Sequence, residues 1–180
     1  MNWTAFDRTL ARLPDLFWTP LVVSILVLTA GSLGLLFHQP WLFASLGPTA
    51  YLYGHTPHQT SARFYNAVAG HAVAILAGFI AVAVFNADAS PSVFTTHELT
   101  WPRVAASVLG LASAILVELL LRASHPPSAA TTLLIALGGF NVSMQSAATI
   151  LIGVLIVGAI GEVFRRLRVK TRHDPHPDPT

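Results

Sequence analysis

The sequence predicts an all-α polytopic membrane protein built from two repeats, each a long helix, a short half-helix and a long helix, in a 3+3 inverted arrangement. Three observations lead there. The chain of 180 residues is 53% hydrophobic and only 10% charged, against roughly 25% charged in a soluble domain. Four apolar runs approach the length of about 20 residues that a helix needs to cross about 30 Å of hydrocarbon. A single shift of 79 residues also relates the two halves of the chain.

Residues 1–17 read as an interfacial lead-in, with a weak amphipathic stripe of Trp3, Phe6, Leu10 and Leu13 among Asp7, Arg8, Arg12 and Asp15. Residues 18–85 form the first transmembrane repeat: Trp18–Phe37 long, Trp41–Gly54 short, Asn66–Phe85 long. A polar linker follows over residues 86–102. The second repeat, residues 103–164, has the same plan in Arg103–Leu121, Pro127–Phe140 and Ala147–Phe164. Each short run has 14 residues, so a helix there is about 21 Å long at best. Proline stands at or near the start of both short helices. Residues 165–180 read as a basic, disordered cytoplasmic tail, opening on Arg165, Arg166, Arg168, Lys170 and Arg172 and closing on a His-Asp-Pro-His-Pro-Asp-Pro run. Trp18–Phe37 is too long for the apolar stretch of a secretory signal.

The repeat rests on several coincidences at one offset. Ser45-Leu46-Gly47-Pro48-Thr49-Ala50 matches Ser124-His125-Pro126-Pro127-Ser128-Ala129 as S-x-x-P-[ST]-A, and the shift of 79 also takes Gly31 to Gly110 and Asn66 to Gln145. It lays Leu21–Phe37 on Thr100–Leu116 and Asn66–Phe85 on Gln145–Phe164.

Charge gives the orientation. If every segment crosses, Arg8, Arg12, Arg63, Arg122 and the basic tail share one side, while Asp88 and Glu98 of the linker lie on the other. Arg103, at the linker's edge, is the exception. That distribution fits the positive-inside rule with both termini cytoplasmic, as in a bacterial inner membrane. The alternative makes each short segment a re-entrant hairpin, which gives parallel repeats and a cytoplasmic linker.

Paired short, proline-started helices are a sequence pointer to a midplane site. Proline suits the first helical turn, and the amides after it lack intrahelical acceptors. Those of Thr49, Ala50 and Tyr51, and of Ser128, Ala129 and Ala130, are therefore expected to be free to hold a small anion at the positive helix ends. The Thr49 and Ser128 hydroxyls add donors, and Gly47 permits close approach. The plainer reading starts ordinary packed helices with these prolines. His125 reads either as an anion-attracting or proton-linked group, or as a neutral side chain fixing its loop. His71, in a long apolar helix, must face protein or a cavity. His55 and His58 read as solvated loop residues. Glu118 is the one acid deep in an apolar run and is expected to pair with Arg122 one turn later, as Glu162 is with Arg165 and Arg166. Stripes of glycine and alanine favour close helix packing. A bundle this thin leaves faces for a homo-oligomer, a dimer first. Lacking cysteine, the chain has no disulfide or thiolate chemistry. No metal-ligand spacing, cofactor motif, acid pair or triad is present, which disfavours an enzyme. The basic cluster reads as a topology signal, with no nucleic-acid partner.

The stretch His125-Pro126-Pro127-Ser128-Ala129-Ala130-Thr131 resembles the HPP family of integral membrane proteins, named for its tripeptide. The Ser45–Ala50 turn and Arg63-Phe64-Tyr65-Asn66-Ala67-Val68-Ala69-Gly70-His71 are similar to that family too, and the likeness runs from about Pro20 to Phe164. Where the family usually has glycine after the prolines, Ser128-Ala129-Ala130 stands here. The regulatory CBS pair of some members has no counterpart. The resemblance implies a transporter of a small inorganic anion, with nitrite as the first candidate. Its binding residues would be Ser45, Gly47, Pro48, Thr49, Ala50, Asn66, His71, His125, Pro126, Pro127, Ser128, Ala129 and Ala130. The competing expectation is a non-transporting structural or assembly subunit.

Overall fold

The computed structural model describes residues 13–173, and no strand occurs among them. The helices in order are α1 (Asp15–Leu36), α2 (Leu46–His55), α3 (Phe64–Val84), α4 (Val93–Thr96), α5 (Trp101–Leu120), α6 (Ser128–Ala136) and α7 (Met144–His173), with 3-10 turns at Thr60–Ala62 and Ala87–Ala89. Helices α1, α3 and α5, with α7 as far as Thr171, are long and apolar enough to cross a membrane. The short helices α2 and α6 have 10 and 9 residues, about half a bilayer each. The expected lead-in lies mostly outside the described residues.

Contacts between elements fix their directions. After α1 the chain doubles back along it. A Cβ on Gly34 would meet the Gln39 carbonyl and Trp41, and one on Gly31 would meet Leu42. Helix α2 continues that path until Gly54 reaches Thr19, whose Oγ1 donates to the Gly54 carbonyl at 3.4 Å. Residues 37–55 thus travel the length of α1, the first half irregular and the second half helical. Helix α3 runs back, and α5 lies antiparallel to it: the start of α3 meets the end of α5 where Asn66 reaches the carbonyls of Arg122 and Ser124. Helix α6 then runs alongside α3 in the same direction, Gly70 facing Ser128 and Gly78 facing Ile135. Helix α7 returns, passing Phe43 at Gly153 and Tyr53 at Gly161.

Three helices stop by one device. His38, Arg122 and Gly138, each two residues past a helix end, take left-handed φ values of 53°, 51° and 86°. The next amides then bond back to carbonyls of the last turn: Gln39 to Gly34, Ala123 to Glu118 and Gly139 to Leu134, at 2.7–2.8 Å. These Schellman closures satisfy carbonyls that would otherwise be orphaned. They also correct an expectation. Glu118 and Arg122 are not an i,i+4 pair, because Arg122 has left the helical register.

A second correction concerns the basic tail. Helix α7 does not end at Phe164 but carries the cluster on to His173. Glu162 binds Arg165 and Arg166 at 2.7 Å each, as i,i+3 and i,i+4 neighbours on a helix do. The Arg168 guanidinium pairs with Asp15 and lies 4.9 Å above the Trp18 ring. These contacts keep the polypeptide helical where charge alone read as disorder. Residues 174–180 lie outside the described residues.

The interior is lined by Trp18, Val22, Leu26, Leu46, Tyr53, Ile135, Ile150, Val154 and Val157. Leu28, Leu35, Leu76, Ile80, Val108, Leu116 and Leu120 point outward and are exposed, as suits a surface solvated by lipid tails. Close packing leaves little tolerance. A Cβ on Gly161 would stand 2.5 Å from Tyr53 Cδ2 and 2.6 Å from Cγ, and that ring is wholly buried. Gly161→Ala is expected to cost about 1–3 kcal/mol, seen as a lower unfolding midpoint in detergent. An unchanged midpoint would mean that the ring repacks freely.

Candidate functional site

Polar residues are expensive inside an apolar bundle and usually mark function. Here they gather where the two short helices begin. Ser45, the residue just before α2, and Thr49 within it are one helical turn apart. On α6, Ser128 and Thr131 are spaced by three. Both spacings place the pair on one face. His71 projects from the second turn of α3, and His125 from the irregular stretch before α6. Ser45, Thr49, His71, His125 and Thr131 are all 0% exposed and Ser128 is 1% exposed.

Their side chains form one chain of contacts. Ser45 Oγ meets Thr131 Oγ1 at 2.7 Å, and Thr131 Oγ1 meets His71 Nδ1 at 2.8 Å. His71 Nε2 lies 3.2 Å from Thr49 Oγ1, which lies 3.2 Å from His125 Nε2. His125 Nδ1 reaches the Ser61 carbonyl at 2.8 Å. A carbonyl only accepts, so His125 Nδ1 carries a hydrogen. The Thr49 hydroxyl also donates toward the Ser45 carbonyl at 2.9 Å. The imidazole centroids are 5.2 Å apart.

Glu118 supports this chain from α5. One carboxyl oxygen accepts the His125 N–H at 3.1 Å, and the other meets Ser128 Oγ, which also lies against the His125 carbonyl. The acid that sequence assigned to Arg122 therefore braces the turn carrying His125. Asn66 braces it from the other side, its Nδ2 donating to the carbonyls of Arg122 and Ser124 at 3.4 and 3.1 Å. Asn66→Ala would strand those groups and is expected to destabilise the protein by about 1–3 kcal/mol. Chemical denaturation of the purified variant checks this, and wild-type stability would show that the turn holds without it.

A family described as "HPP, transmembrane region" matches residues 8–175. The chain belongs to that family. No curated protein and no solved structure matches it. The His-Pro-Pro tripeptide of this HPP protein supplies one imidazole and starts α6.

The HPP cluster departs from sequence expectation in its donors. The amides expected to be free are occupied. Thr49 N–H bonds the Ser45 carbonyl at 3.3 Å, and those of Ser128, Ala129 and Ala130 bond His125, Pro126 and Pro127 at 2.9, 3.2 and 3.1 Å. Helix α2 begins at Leu46, ahead of Pro48, so Ala50 and Tyr51 already fall within the intrahelical ladder. Pro48 and Pro126 are exposed, Gly47 is half-buried with open space about it, and Ala129 and Ala130 are half-buried. Ala50 and Pro127 are buried, as apolar packing. His55 and His58 are exposed. Sequence reasoning missed Thr131 as a member and Glu118 as a brace. The three-residue step from Ser128 to Thr131 in an otherwise apolar helix was the available signal for the former.

Proposed function

We propose that this HPP protein is a transporter or channel for a small monovalent anion, nitrite being the first candidate, and that it is not an enzyme. The observation that carries the reading is the buried chain of hydroxyls and imidazoles drawn from both halves of the bundle. Hydroxyl and imidazole N–H groups suit a small oxyanion, and such groups rarely enter an apolar interior without a task. The side chains, rather than backbone amides, are the binding donors in this reading.

The repeat supports it. Each half runs long, short, long. Helix α2 fills the half of its passage nearest the Asp15–Arg168 end, whereas α6 fills the opposite half of its own. This placement supports reading the halves as an inverted 3+3 arrangement, with the irregular stretches meeting at mid-depth. Both termini are then cytoplasmic, in a bacterial inner membrane, with the basic end of α7 on the cytoplasmic side. The exposed apolar faces of the long helices leave room for a homo-oligomer, a dimer first.

A structural or assembly role is the second reading. It is favoured by the mutual hydrogen bonding of the cluster, which leaves its amides occupied. Nitrite uptake into proteoliposomes separates the two, with Thr49→Ala and Ser128→Ala compared for flux and for unfolding. The transport reading expects lost flux in folded protein. Absence of anion flux in the wild type, with loss of stability alone in the variants, would establish the structural one.

A further inference from the structure

The hydrogen-bond chain can hold either of two proton counts without moving a heavy atom. Thr49 Oγ1 has three polar neighbours: His71 Nε2, His125 Nε2 and the Ser45 carbonyl. A hydroxyl offers one proton and two lone pairs. With both imidazoles neutral, Ser45 donates to Thr131, Thr131 to His71 Nδ1, His71 Nε2–H to Thr49, and Thr49 to His125 Nε2. His125 Nδ1–H ends the series on the Ser61 carbonyl. With one more proton on His125 Nε2, that nitrogen becomes a donor to Thr49. The Thr49 O–H then turns to the Ser45 carbonyl. Every partner is satisfied in both states.

The second state adds a positive charge, and its neutralisation matters in an apolar bundle. Glu118 is the acid that meets the cluster. Its hydrogen bonds point to the acid form. Ser128 Oγ has one proton and lies between the His125 carbonyl, a pure acceptor, and Glu118 Oε1. Glu118 completes the set by donating to Ser128, while its other oxygen accepts the His125 N–H. Helices α2 and α6 and the Ser61 turn bring only hydroxyls and carbonyls to the chain, and His71 is the titratable group from α3. Helix α7 joins it through none of the described hydrogen bonds. Arg63 and Arg122 are exposed.

We propose that Thr49 is a one-proton switch and His125 the proton carrier, so that one proton and one monovalent anion enter the cluster together. This rests on the anion-transport reading above. The step balances: an N–H bond forms at His125 Nε2 as an O–H bond of a hydronium ion from the aqueous side breaks and leaves water, the Thr49 hydrogen bond reorients, and the anion offsets the imidazolium charge. Release reverses each change, and the transfer is electroneutral.

Proteoliposomes carrying a trapped pH dye test it, with protein-free vesicles as the blank for nitrous acid leak. Wild-type nitrite uptake is expected to bring in protons at a ratio near one, and to rise by up to about tenfold per unit of external acidification. Thr49→Val should lose proton entry and pH dependence, Thr49→Ser should restore both, and Glu118→Gln should keep the ratio, its amide supplying the same donor and acceptor. Should Thr49→Val fail to fold, the wild-type ratio and the Glu118→Gln ratio decide. Nitrite uptake with no proton entry above the blank would overturn the switch while leaving the anion carrier standing. A ratio lost in folded Glu118→Gln would also overturn it, by making the carboxylate the counter-charge. No uptake of nitrite at all would overturn both.

Discussion

Replacing His125 by alanine is expected to reduce anion flux by about 10- to 100-fold. The imidazole contacts Thr49 on one side and the Ser61 carbonyl on the other, at 3.2 and 2.8 Å. A hydrogen bond to a charged group is worth about 1.5–3 kcal/mol, and each 1.4 kcal/mol is about tenfold. His55→Ala is the matched control, since that histidine is exposed at the far end of α2. Proteoliposome uptake and a melting curve should be measured for both variants. A His125→Ala protein that folds and transports normally would remove the cluster from the ion's route.

The second large effect is on stability. Glu118→Ala strips a partner from the His125 N–H and another from Ser128 at once. The buried His125 N–H is then left without its acceptor and a cavity replaces the carboxyl, while Ser128 keeps the His125 carbonyl, at a cost of about 2–5 kcal/mol. Glu118→Gln preserves one acceptor and one donor in the same shape and is expected to lose less than half of that. Unfolding midpoints in one detergent compare the two. Equal losses would show that the bracing geometry described for the His125 turn is not what stabilises it.

The long segments were legible because hydropathy over about 20 residues leaves few alternatives. Trp18–Phe37 and Asn66–Phe85 fall close to α1 and α3. The ends were less legible. Local propensity marks His38 only weakly and Arg122 not at all for a left-handed φ, a conformation rare for residues with a Cβ. That turn alone separates Glu118 from Arg122. Helix α7 outran its expected end because Asp15 and Trp18, distant in sequence, receive Arg168. Within the site, His71, His125, Thr49, Ser45 and Ser128 were identified from residue type and from the paired prolines. Their connection was not, because Thr131 joins Ser45 across 86 positions of chain. The free-amide expectation failed for a local reason. It took proline as the first residue of each helix. In α2 the coil starts two residues earlier, and before α6 the His125-Pro126-Pro127 turn already supplies carbonyl acceptors.

Asp15 clasped to Arg168, with Trp18 against Phe164 at 6.0 Å between centroids, gives the bundle a seam where α1 and α7 meet. Helix α7 follows α1 in the chain, so this contact cannot form until α7 has been made, and Trp18 lacks its Phe164 partner until then.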